Sequence, residues 1–443
     1  MNKPFSGNNS RRDFVKGSSL LAGGILAAPL LSSANFFSGS DDTIKIAVVG
    51  CGGRGTGAAM QALSSKQNVK IVAMADAFKD NLDSCHKSLI EEINNSIGEL
   101  AKRLDVPEER RFTGFDGYQK AIALADVVIL ATPPGFRPIH FAEAIKQGKH
   151  VFMEKPVATD PAGIQSVLAT AAIAKQKKLN VVVGLQRHYQ NSYRELFKRK
   201  DLIGDITSAQ AWWDNDGVWV RPRKYNQTEM EYQMRNWYYF NWLCGDHITE
   251  QHVHNLDVIN WFKGGHPVKA QGFGGRQVRN GKDHGEIFDH HFVEFEYADG
   301  SILNSQCRHI PGTMSKVDEL LIGTKGKIFC GAANIKDHTG KLIYQYDTKL
   351  ENNPYQTEHD ELFAAIAKGE YKYADAENGA SSTMTSILGR MATYTGQVIE
   401  WDKAINSGMD IQPKAYNWNA EPPVLPNEDG HYPIAIPGVT KYF

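Results

Sequence analysis

Short apolar runs alternate with segments of helical periodicity over the first part of the chain. The β-branched run at residues 44–49 predicts a buried parallel strand, and similar runs at residues 69–75 and 126–131 predict two more. Apolar residues at helical spacing predict a helix after the first strand and further helices at residues 138–147 and 161–177. Strands that alternate with helices predict a doubly wound parallel sheet with right-handed connections.

A glycine-rich turn, residues 50–55, joins the first strand to the first helix. Gly50 permits a tight turn, Gly52 lets the backbone approach a pyrophosphate, and Gly55 allows close packing of helix on strand. The phosphates would lie at the helix N-terminus, where free N–H groups favour anions. The turn therefore predicts a dinucleotide site with the contact residues Gly50, Gly52, Gly53, Arg54 and Gly55.

An acidic residue ends the second predicted strand. Asp76 lies 26 positions after Gly50, where a carboxylate accepts the ribose hydroxyls of NAD and repels the extra phosphate of NADP. No arginine follows Asp76 directly, so the sequence favours NAD. The alternative for Asp76 is the N-cap of the following helix.

The later part of the chain has the pattern of an antiparallel sheet. Polar and apolar residues alternate at residues 292–297 and predict a half-buried strand, which a turn at residues 298–300 ends. A helix is predicted at residues 382–398, packed back on the nucleotide-binding part. The tail at residues 413–443 is rich in Pro, Asn and aromatic residues, and we expect it to wrap over the surface or over a neighbouring subunit.

The N-terminal residues have the pattern of an export signal. Arg11 and Arg12, followed by Phe14 and Lys16, resemble a twin-arginine signal, and a moderately apolar stretch at residues 17–31 follows them. This stretch is short for a membrane span, and small residues follow it, as signal peptidases prefer. We expect a periplasmic or exported protein with no stable membrane anchoring after cleavage; the alternative is an uncleaved basic helix or anchor.

Length, charge and cysteine content argue against several classes of function. A chain of 443 residues suggests two domains, and the formal net charge of −1 provides no field that would attract nucleic acid or an anionic membrane. The five cysteines are odd in number and widely spaced, which argues against a disulfide framework or a zinc site. We expect them to be buried thiols.

The sequence resembles the glucose–fructose oxidoreductase, inositol dehydrogenase and rhizopine-catabolism (Gfo/Idh/MocA) family. Besides the glycine turn, the resemblance rests on the Thr132-Pro133 turn, on the run at residues 148–151, and on Glu154-Lys155-Pro156. It implies a Rossmann domain followed by an α/β domain with a large open, mostly antiparallel sheet. The expected regions are a twin-arginine signal peptide at residues 1–34, an NAD-binding Rossmann domain at 42–185, a substrate-binding α/β domain at 186–412 with a helix that returns to the Rossmann domain, and an extended tail at 413–443.

The resemblance assigns the catalytic lysine to Lys155. A lysine at a strand end near bound nicotinamide can hold the reacting hydroxyl and influence its proton. Arg137 stands where family members often carry a histidine, and an arginine there could contact phosphate, a sugar hydroxyl or a carboxylate. The further cofactor contacts implied are Thr132, Pro133, Arg137, Glu154 and Lys155.

A second catalytic segment lies at residues 244–257. His254 and Asp257 match the family pattern, whereas Glu250 replaces the usual aspartate and His252 replaces a common glycine. On one helix these spacings would place the three matched groups on one face. We expect His254 to take or return the hydroxyl proton, Glu250 or Lys155 to share it, and Asp257 to orient the imidazole.

The same segment admits a metal hypothesis. Imidazole and carboxylate ligands suit zinc or manganese, and the segment holds His247, Glu250, His252 and His254. However, His252 and His254 would point to different sides of a helix, and the family needs no metal. We therefore predict no metal.

Sugar sites combine an aromatic ring face with hydroxyl acceptors. Aromatic and polar residues follow the first strand of the second domain and precede the catalytic segment, and core packing is the alternative role for their rings. The substrate candidates are Arg187, His188, Trp213, Asp214, Arg235, Trp237, His252 and His290.

These observations predict an NAD-dependent oxidoreductase that acts on a CH–OH group of a sugar, glycoside or polyol. Because free NAD is scarce outside the cytoplasm, an exported member would hold its cofactor tightly and recycle it. The first alternative is a redox-neutral, NAD-dependent glycoside hydrolase, in which His252 could protonate the leaving group. Intact Lys155, His254 and Asp257 argue against a second alternative, a non-catalytic binding protein. Family members with this sheet commonly form homo-oligomers, so we expect one here.

Overall fold

The computed structural model describes residues 42–95 and 99–442. The predicted signal peptide lies outside these residues. Within them, no helix combines the length and the apolar character that a membrane crossing requires. All five cysteines are free and buried, as expected.

The first part of the chain forms a six-stranded parallel sheet with the strand order β3-β2-β1-β4-β5-β6. The order reverses beside β1, so the crevice at the carboxyl ends of the strands is placed for a dinucleotide. This sheet confirms the predicted Rossmann architecture. Its elements in chain order are β1 (Ile44–Val49), α1 (Gly53–Leu63), β2 (Val69–Asp76), α2 (Lys79–Asn95), β3 (Arg111–Thr113), α3 (Gly117–Ala123), β4 (Val127–Leu130), α4 (Arg137–Lys146), β5 (His150–Met153), α5 (Pro161–Gln176) and β6 (Val181–Val183).

The second sheet has nine strands in the order β14-β13-β12-β11-β7-β10-β9-β8-β15. All neighbours pair antiparallel except β7 and β10, which confirms the expected open, mostly antiparallel sheet. Its elements and the surrounding helices are α6 (Asn191–Phe197), β7 (Ile206–Asn215), α7 (Glu229–Arg235), α8 (Asn241–Cys244), α9 (His247–Glu250), α10 (Val253–Lys263), β8 (Lys269–Gly275), β9 (His290–Glu296), β10 (Ile302–His309), β11 (Lys316–Gly323), β12 (Gly326–Phe329), β13 (Asn334–Asp337), β14 (Leu342–Gln345), α11 (Pro354–Ala367), α12 (Ala376–Thr395), β15 (Ile399–Glu400) and α13 (Trp401–Ile405).

Helix α12 connects the two sheets. It begins at Ala376, six residues before the predicted start, and Gly396 in a left-handed conformation ends it. Its small residues allow close packing: a Cβ on Gly379 would lie 3.1 Å from Val183 of β6, and one on Gly389 would lie 2.8 Å from Phe295 of β9. One continuous apolar core therefore includes side chains from both sheets.

A buried ion pair also joins the two parts. Arg187, just after β6, donates to Glu319 on β11, and both side chains are almost inaccessible to solvent. Tyr193 and Asn255 donate further hydrogen bonds to the same carboxylate, at 2.9 and 2.7 Å. Arg187 is thus a structural residue and not the predicted substrate contact.

Replacing Arg187 by Met should reduce the free energy of unfolding by about 3–5 kcal/mol, because Glu319 would remain buried without a counter-charge. The double variant Arg187→Met/Glu319→Met should recover most of this loss, since no unpaired charge remains. Urea unfolding followed by circular dichroism measures both. The control is Lys175→Met, which removes an exposed pair with Glu377 and should change stability by less than about 1 kcal/mol. A single Arg187 variant as stable as the control would contradict the assignment.

Candidate active site

A cavity of about 510 Å³ lies at the carboxyl ends of the parallel strands. Residues that follow β1 to β6 form one wall. Side chains from β7, from α7 and the loops beside it, and from the region between α9 and α10 form the other wall. Both parts of the chain therefore contribute to a single site.

The glycine turn has the geometry that a dinucleotide requires. Gly50 has a φ of +96°, and a Cβ there would lie 2.4 Å from the backbone nitrogen of Thr132. A Cβ on Gly55 would lie 1.8 Å from the carbonyl oxygen of Gly50. A Cβ on Gly52 would meet no atom within 4 Å, so the backbone is open on the cavity side. Helix α1 begins at Gly53, and its N-terminus can receive a pyrophosphate.

Asp76 ends β2 and lines the cavity. One of its carboxylate oxygens accepts the backbone N–H of Cys51 at 2.7 Å, and the other accepts that of Phe78 at 2.8 Å. Burial raises the pKa of Asp76, and the two N–H donors oppose this rise. The carboxylate is therefore held in a fixed orientation, in which its remaining lone pairs can accept ribose hydroxyls.

Lys155 contacts the predicted acid–base residue of the second part. Its Nζ donates to the backbone oxygen of Glu250 at 2.5 Å and to Oε1 of the same residue at 3.1 Å. Each of the two side chains is 13% exposed, and both line the cavity. Burial raises the pKa of Glu250, and the charge of Lys155 limits the rise. The neighbouring Glu154 accepts a hydrogen bond from Arg54 of the glycine turn at 2.5 Å.

The catalytic segment is not the single helix that its spacing suggested. Helix α9 ends at Glu250, α10 begins at Val253, and Gln251 and His252 lie between them. His254 lines the cavity and stacks on Trp213, with ring centroids 6.0 Å apart. Burial lowers the pKa of His254 well below its usual range, and the nearby positive charges lower it further. His254 is therefore neutral at physiological pH.

Asp257 does not orient the imidazole of His254, as had been predicted. Its Oδ2 lies 2.8 Å from Nε2 of His188, and its Oδ1 accepts hydrogen bonds from Asn378 and Ser382 of α12 at 2.9 and 2.8 Å. Asp257 thus faces the helix that joins the two sheets. It attaches α10 to that helix and does not line the cavity.

Arg137 fits the cavity wall as a structural cation. Its Nε donates to the backbone oxygen of Glu154 at 3.0 Å, and its Nη2 donates to that of Thr132 at 2.6 Å. Burial lowers the pKa of Arg137 to about 10. The guanidinium fixes the turn containing Pro133 against the segment that carries Lys155, and all of these residues line the cavity.

The predicted substrate residues divide into two groups. Trp213, Arg235 and Trp237 line the cavity. Arg235 also pairs with Asp80 at 2.9 Å and lies 4.0 Å from the ring centroid of Phe78.

The other candidates do not line the cavity. His252 is fully buried, and its Nε2 lies 2.7 Å from Oγ of Ser305. Asp214 is buried on the opposite face of β7 from Trp213, because successive strand residues point to opposite faces. His290 contacts its neighbour Asp289 at 2.8 Å. Arg187 and His188 likewise do not line the cavity.

The four residues of the metal hypothesis do not converge. His247 lies instead beside Asp246 and His291, with potential ligand atoms within 4.8 Å of one another. The carboxylate of Asp246 is already occupied, because it accepts hydrogen bonds from Tyr394 at 2.6 Å and from the backbone of Phe288 at 2.9 Å. The cluster is thus a hydrogen-bonded network behind the cavity.

Three further residues line the cavity: Trp219, Tyr238 and Gln251. Tyr238 and Gln251 fall in segments that the sequence indicated, but neither was assigned a role, and Trp219 was not predicted. The hydroxyl of Tyr238 is buried and acts on the carboxylate of Glu250, whose pKa it helps to lower against the effect of burial. Tyr238 lies in a run of four aromatic residues, 237–240, so periodicity gives no sign of which ring faces the cavity. The neighbouring Trp237 had been predicted as a substrate residue because sugar sites contain an aromatic ring face.

Comparisons with known proteins agree with this geometry. Residues 44–185 match the family model described as Gfo/Idh/MocA, oxidoreductase family, NAD-binding Rossmann fold. Inositol 2-dehydrogenase of Cereibacter sphaeroides is 23% identical over 359 residues, which cover 78% of this chain and 92% of that protein. A glycosyl hydrolase family 109 protein of Solibacter usitatus is 30% identical over 223 residues, or 47% of this chain and 46% of that protein.

The crystal structure of scyllo-inositol dehydrogenase from Lactobacillus casei with bound NAD(H) and scyllo-inositol has the same fold. Its TM-score is 0.60 at 20% identity, with 81% of this chain and 99% of that chain covered. The glycine turn, the carboxylate at the end of β2 and the matched family model all indicate NAD as the cofactor. Residues 44–185 therefore form an NAD-binding Rossmann domain that matches the Gfo/Idh/MocA oxidoreductase family.

Proposed function

We propose that the protein oxidises a CH–OH group of a sugar, glycoside or polyol and that it keeps NAD bound between turnovers, with the carbonyl group of a second sugar accepting the hydride and a proton so that NAD is regenerated. The observation that carries the proposal is the contact between Lys155 and Glu250. It brings an ammonium group and a carboxylate of raised pKa together in a cavity that the dinucleotide turn also lines. NAD, when bound, supplies the hydride acceptor.

The two side chains can bind the reacting hydroxyl and accept its proton. The ammonium of Lys155 can hold the hydroxyl oxygen and stabilise negative charge as the O–H bond breaks. The carboxylate of Glu250 can accept the proton, and its raised pKa brings its proton affinity closer to neutral pH. His254 is neutral and lines the cavity, so its imidazole can hydrogen-bond a second hydroxyl of the substrate.

The aromatic wall supports a carbohydrate substrate. Trp213, Trp219 and Trp237 line the same side of the cavity. An indole ring offers an apolar face on which the C–H groups of a sugar can stack, while the polar groups of the opposite wall bind its hydroxyls. A small polyol fits this combination.

Contacts around the Asp76 end of the cavity support a retained cofactor. Trp418 of the C-terminal tail packs on Phe78 and Phe115, with ring centroids 5.0 and 4.7 Å apart. The ion pair of Arg235 with Asp80 crosses from the second part of the chain to α2. Phe78 and Phe115 line the cavity, so release of a dinucleotide would require these contacts to loosen.

The proposal includes export and self-association. The twin-arginine pattern at residues 10–16 supports export of the folded protein with its cofactor. Apolar side chains on the second sheet support a homo-oligomer: Phe273 is 65% exposed and stacks on Phe292 across β8 and β9. Such a patch on a sheet face is typical of a protein interface.

The proposed activity is tested by the mass of the products formed from inositols, free aldoses and aryl glycosides, with and without added NAD. We expect a product lighter by two hydrogen atoms, and we expect the purified protein to form it without added NAD: one equivalent per bound cofactor with a polyol alone, and more when a free aldose is present to accept the hydride. Lys155→Met should reduce the rate by about 10²–10⁴-fold, because the hydroxyl loses its polarising cation. The control Lys146→Met, at an exposed position of α4, should not change the rate.

Two outcomes would contradict the proposal. Release of aglycone together with an unoxidised sugar would establish the redox-neutral glycoside hydrolase instead. An equal rate for Lys155→Met and for the wild type would exclude Lys155 from the reaction.

The pH profile tests the role of Glu250. Because only the ionised carboxylate accepts a proton, kcat/KM for oxidation should rise with pH through the pKa of Glu250, which burial places above that of an ordinary glutamate. Glu250→Gln should lower kcat/KM and remove this acidic limb. A limb that belonged to His254 would lie at lower pH, since burial lowers its pKa well below the usual range, and it would persist in Glu250→Gln. An unchanged acidic limb in Glu250→Gln would assign the proton to another group.

A further inference from the structure

A chain of hydrogen bonds leads from a buried arginine to the cavity wall. Nη2 of Arg279 lies 2.7 Å from Nδ1 of His309, and Nε2 of His309 lies 2.8 Å from Oε1 of Gln251. Gln251 follows Glu250 directly, between α9 and α10, and lines the cavity. Gln251 has no role in the reaction described above.

The buried end of this chain of hydrogen bonds, at Arg279, is held in place by further contacts. Asp289 is fully buried, and its Oδ2 accepts the backbone N–H groups of Gln277, Val278 and Arg279 at 2.7, 2.7 and 3.0 Å. The guanidinium of Arg279 donates through Nη1 to the backbone oxygen of Phe288 at 2.6 Å. Arg279 is 4% exposed, so its Nη2 has a fixed position.

The chemistry of the three groups fixes the direction of every bond. A guanidinium only donates, so Nδ1 of His309 must accept. The imidazole is then neutral and carries its proton on Nε2, in agreement with a pKa that burial and the neighbouring positive groups lower. This N–H donates, so the atom of Gln251 that faces His309 must be the amide oxygen.

The amide nitrogen of Gln251 therefore points away from His309. No hydrogen bond joins it to another residue within the described ranges 42–95 and 99–442. An amide whose oxygen is held by a buried network and whose NH₂ group is free is a preorganised donor. It can bind only a group that accepts a hydrogen bond, such as the oxygen of a hydroxyl.

We propose that Gln251 is a specificity-determining residue that donates a hydrogen bond to a second oxygen of the substrate, beside the hydroxyl held by Lys155 and Glu250. His309 and Arg279 are positioning residues that keep the amide in the donating orientation. The inference rests on the proposed function for the reacting hydroxyl. It selects substrates with at least two neighbouring oxygens, such as vicinal diols of polyols and sugars, over simple alcohols.

The experiment measures KM and kcat, and also the dissociation constant by calorimetry, with scyllo-inositol and glucose as probes of the NAD-loaded protein. Gln251→Leu should raise KM and the dissociation constant about tenfold, the value of one hydrogen bond, with kcat and NAD content unchanged. The control Gln271→Leu makes the same change at an exposed position of β8 and should alter neither constant.

The positioning role has its own test. His309→Leu should also raise KM, because the amide can then rotate, whereas His309→Gln should restore it, since its amide can accept from Arg279 and donate to Gln251. The double variant His309→Leu/Gln251→Leu should be no worse than Gln251→Leu alone. Calorimetry measures the dissociation constant even if the protein binds these probes without oxidising them.

Unchanged KM and dissociation constants in Gln251→Leu would overturn the inference. So would a double variant in which the two losses add, since the residues would then act independently. A wild type that binds the probes but releases no oxidised product would contradict only the proposed oxidation.

Discussion

The buried contact between Lys155 and Glu250 is the interaction on which the site depends. Lys155 follows the last residues of β5, and Glu250 ends α9 in the other part of the chain, so the contact sets the distance between the two walls of the cavity. Two charges removed from water are stable only when each compensates the other with good geometry. The backbone oxygen of Glu250 provides a second acceptor for Lys155, which fixes the ammonium in one place.

Polar groups behind the cavity hold this arrangement. Asp257 attaches α10 to α12, His252 bonds to Ser305 on β10, and Asp246 accepts hydrogen bonds from residues of several segments. Between these anchors the regular α-helix is interrupted at residues 251–252, although both residues keep right-handed helical backbone angles, and Gln251 lines the cavity. A continuous helix would not present Glu250, Gln251 and His254 to one cavity, because neighbouring helical residues diverge around the axis.

The sequence predicted those features that local rules control. Strand periodicity and the glycine turn predicted the parallel sheet, and the Glu-Lys-Pro run located Lys155. The sequence could not predict which polar side chains face the cavity, since their orientation depends on partners that are distant in sequence. Arg187 was predicted to contact the substrate. In the structure it pairs with Glu319, which lies 132 residues later in the chain. The partners of Asp257 on α12, Asn378 and Ser382, lie more than 120 residues later in the chain.

The most direct test of this account is a crystal structure of the NAD-loaded protein with a bound polyol. The account predicts the reacting hydroxyl within hydrogen-bond distance of Nζ of Lys155 and of the Glu250 carboxylate, with its carbon facing the nicotinamide ring. The polyol ring should lie against the tryptophan wall. A polyol bound elsewhere, with no hydroxyl within hydrogen-bond distance of Lys155 or Glu250, would contradict the account. Its central claim is that this pair binds the reacting hydroxyl and accepts its proton.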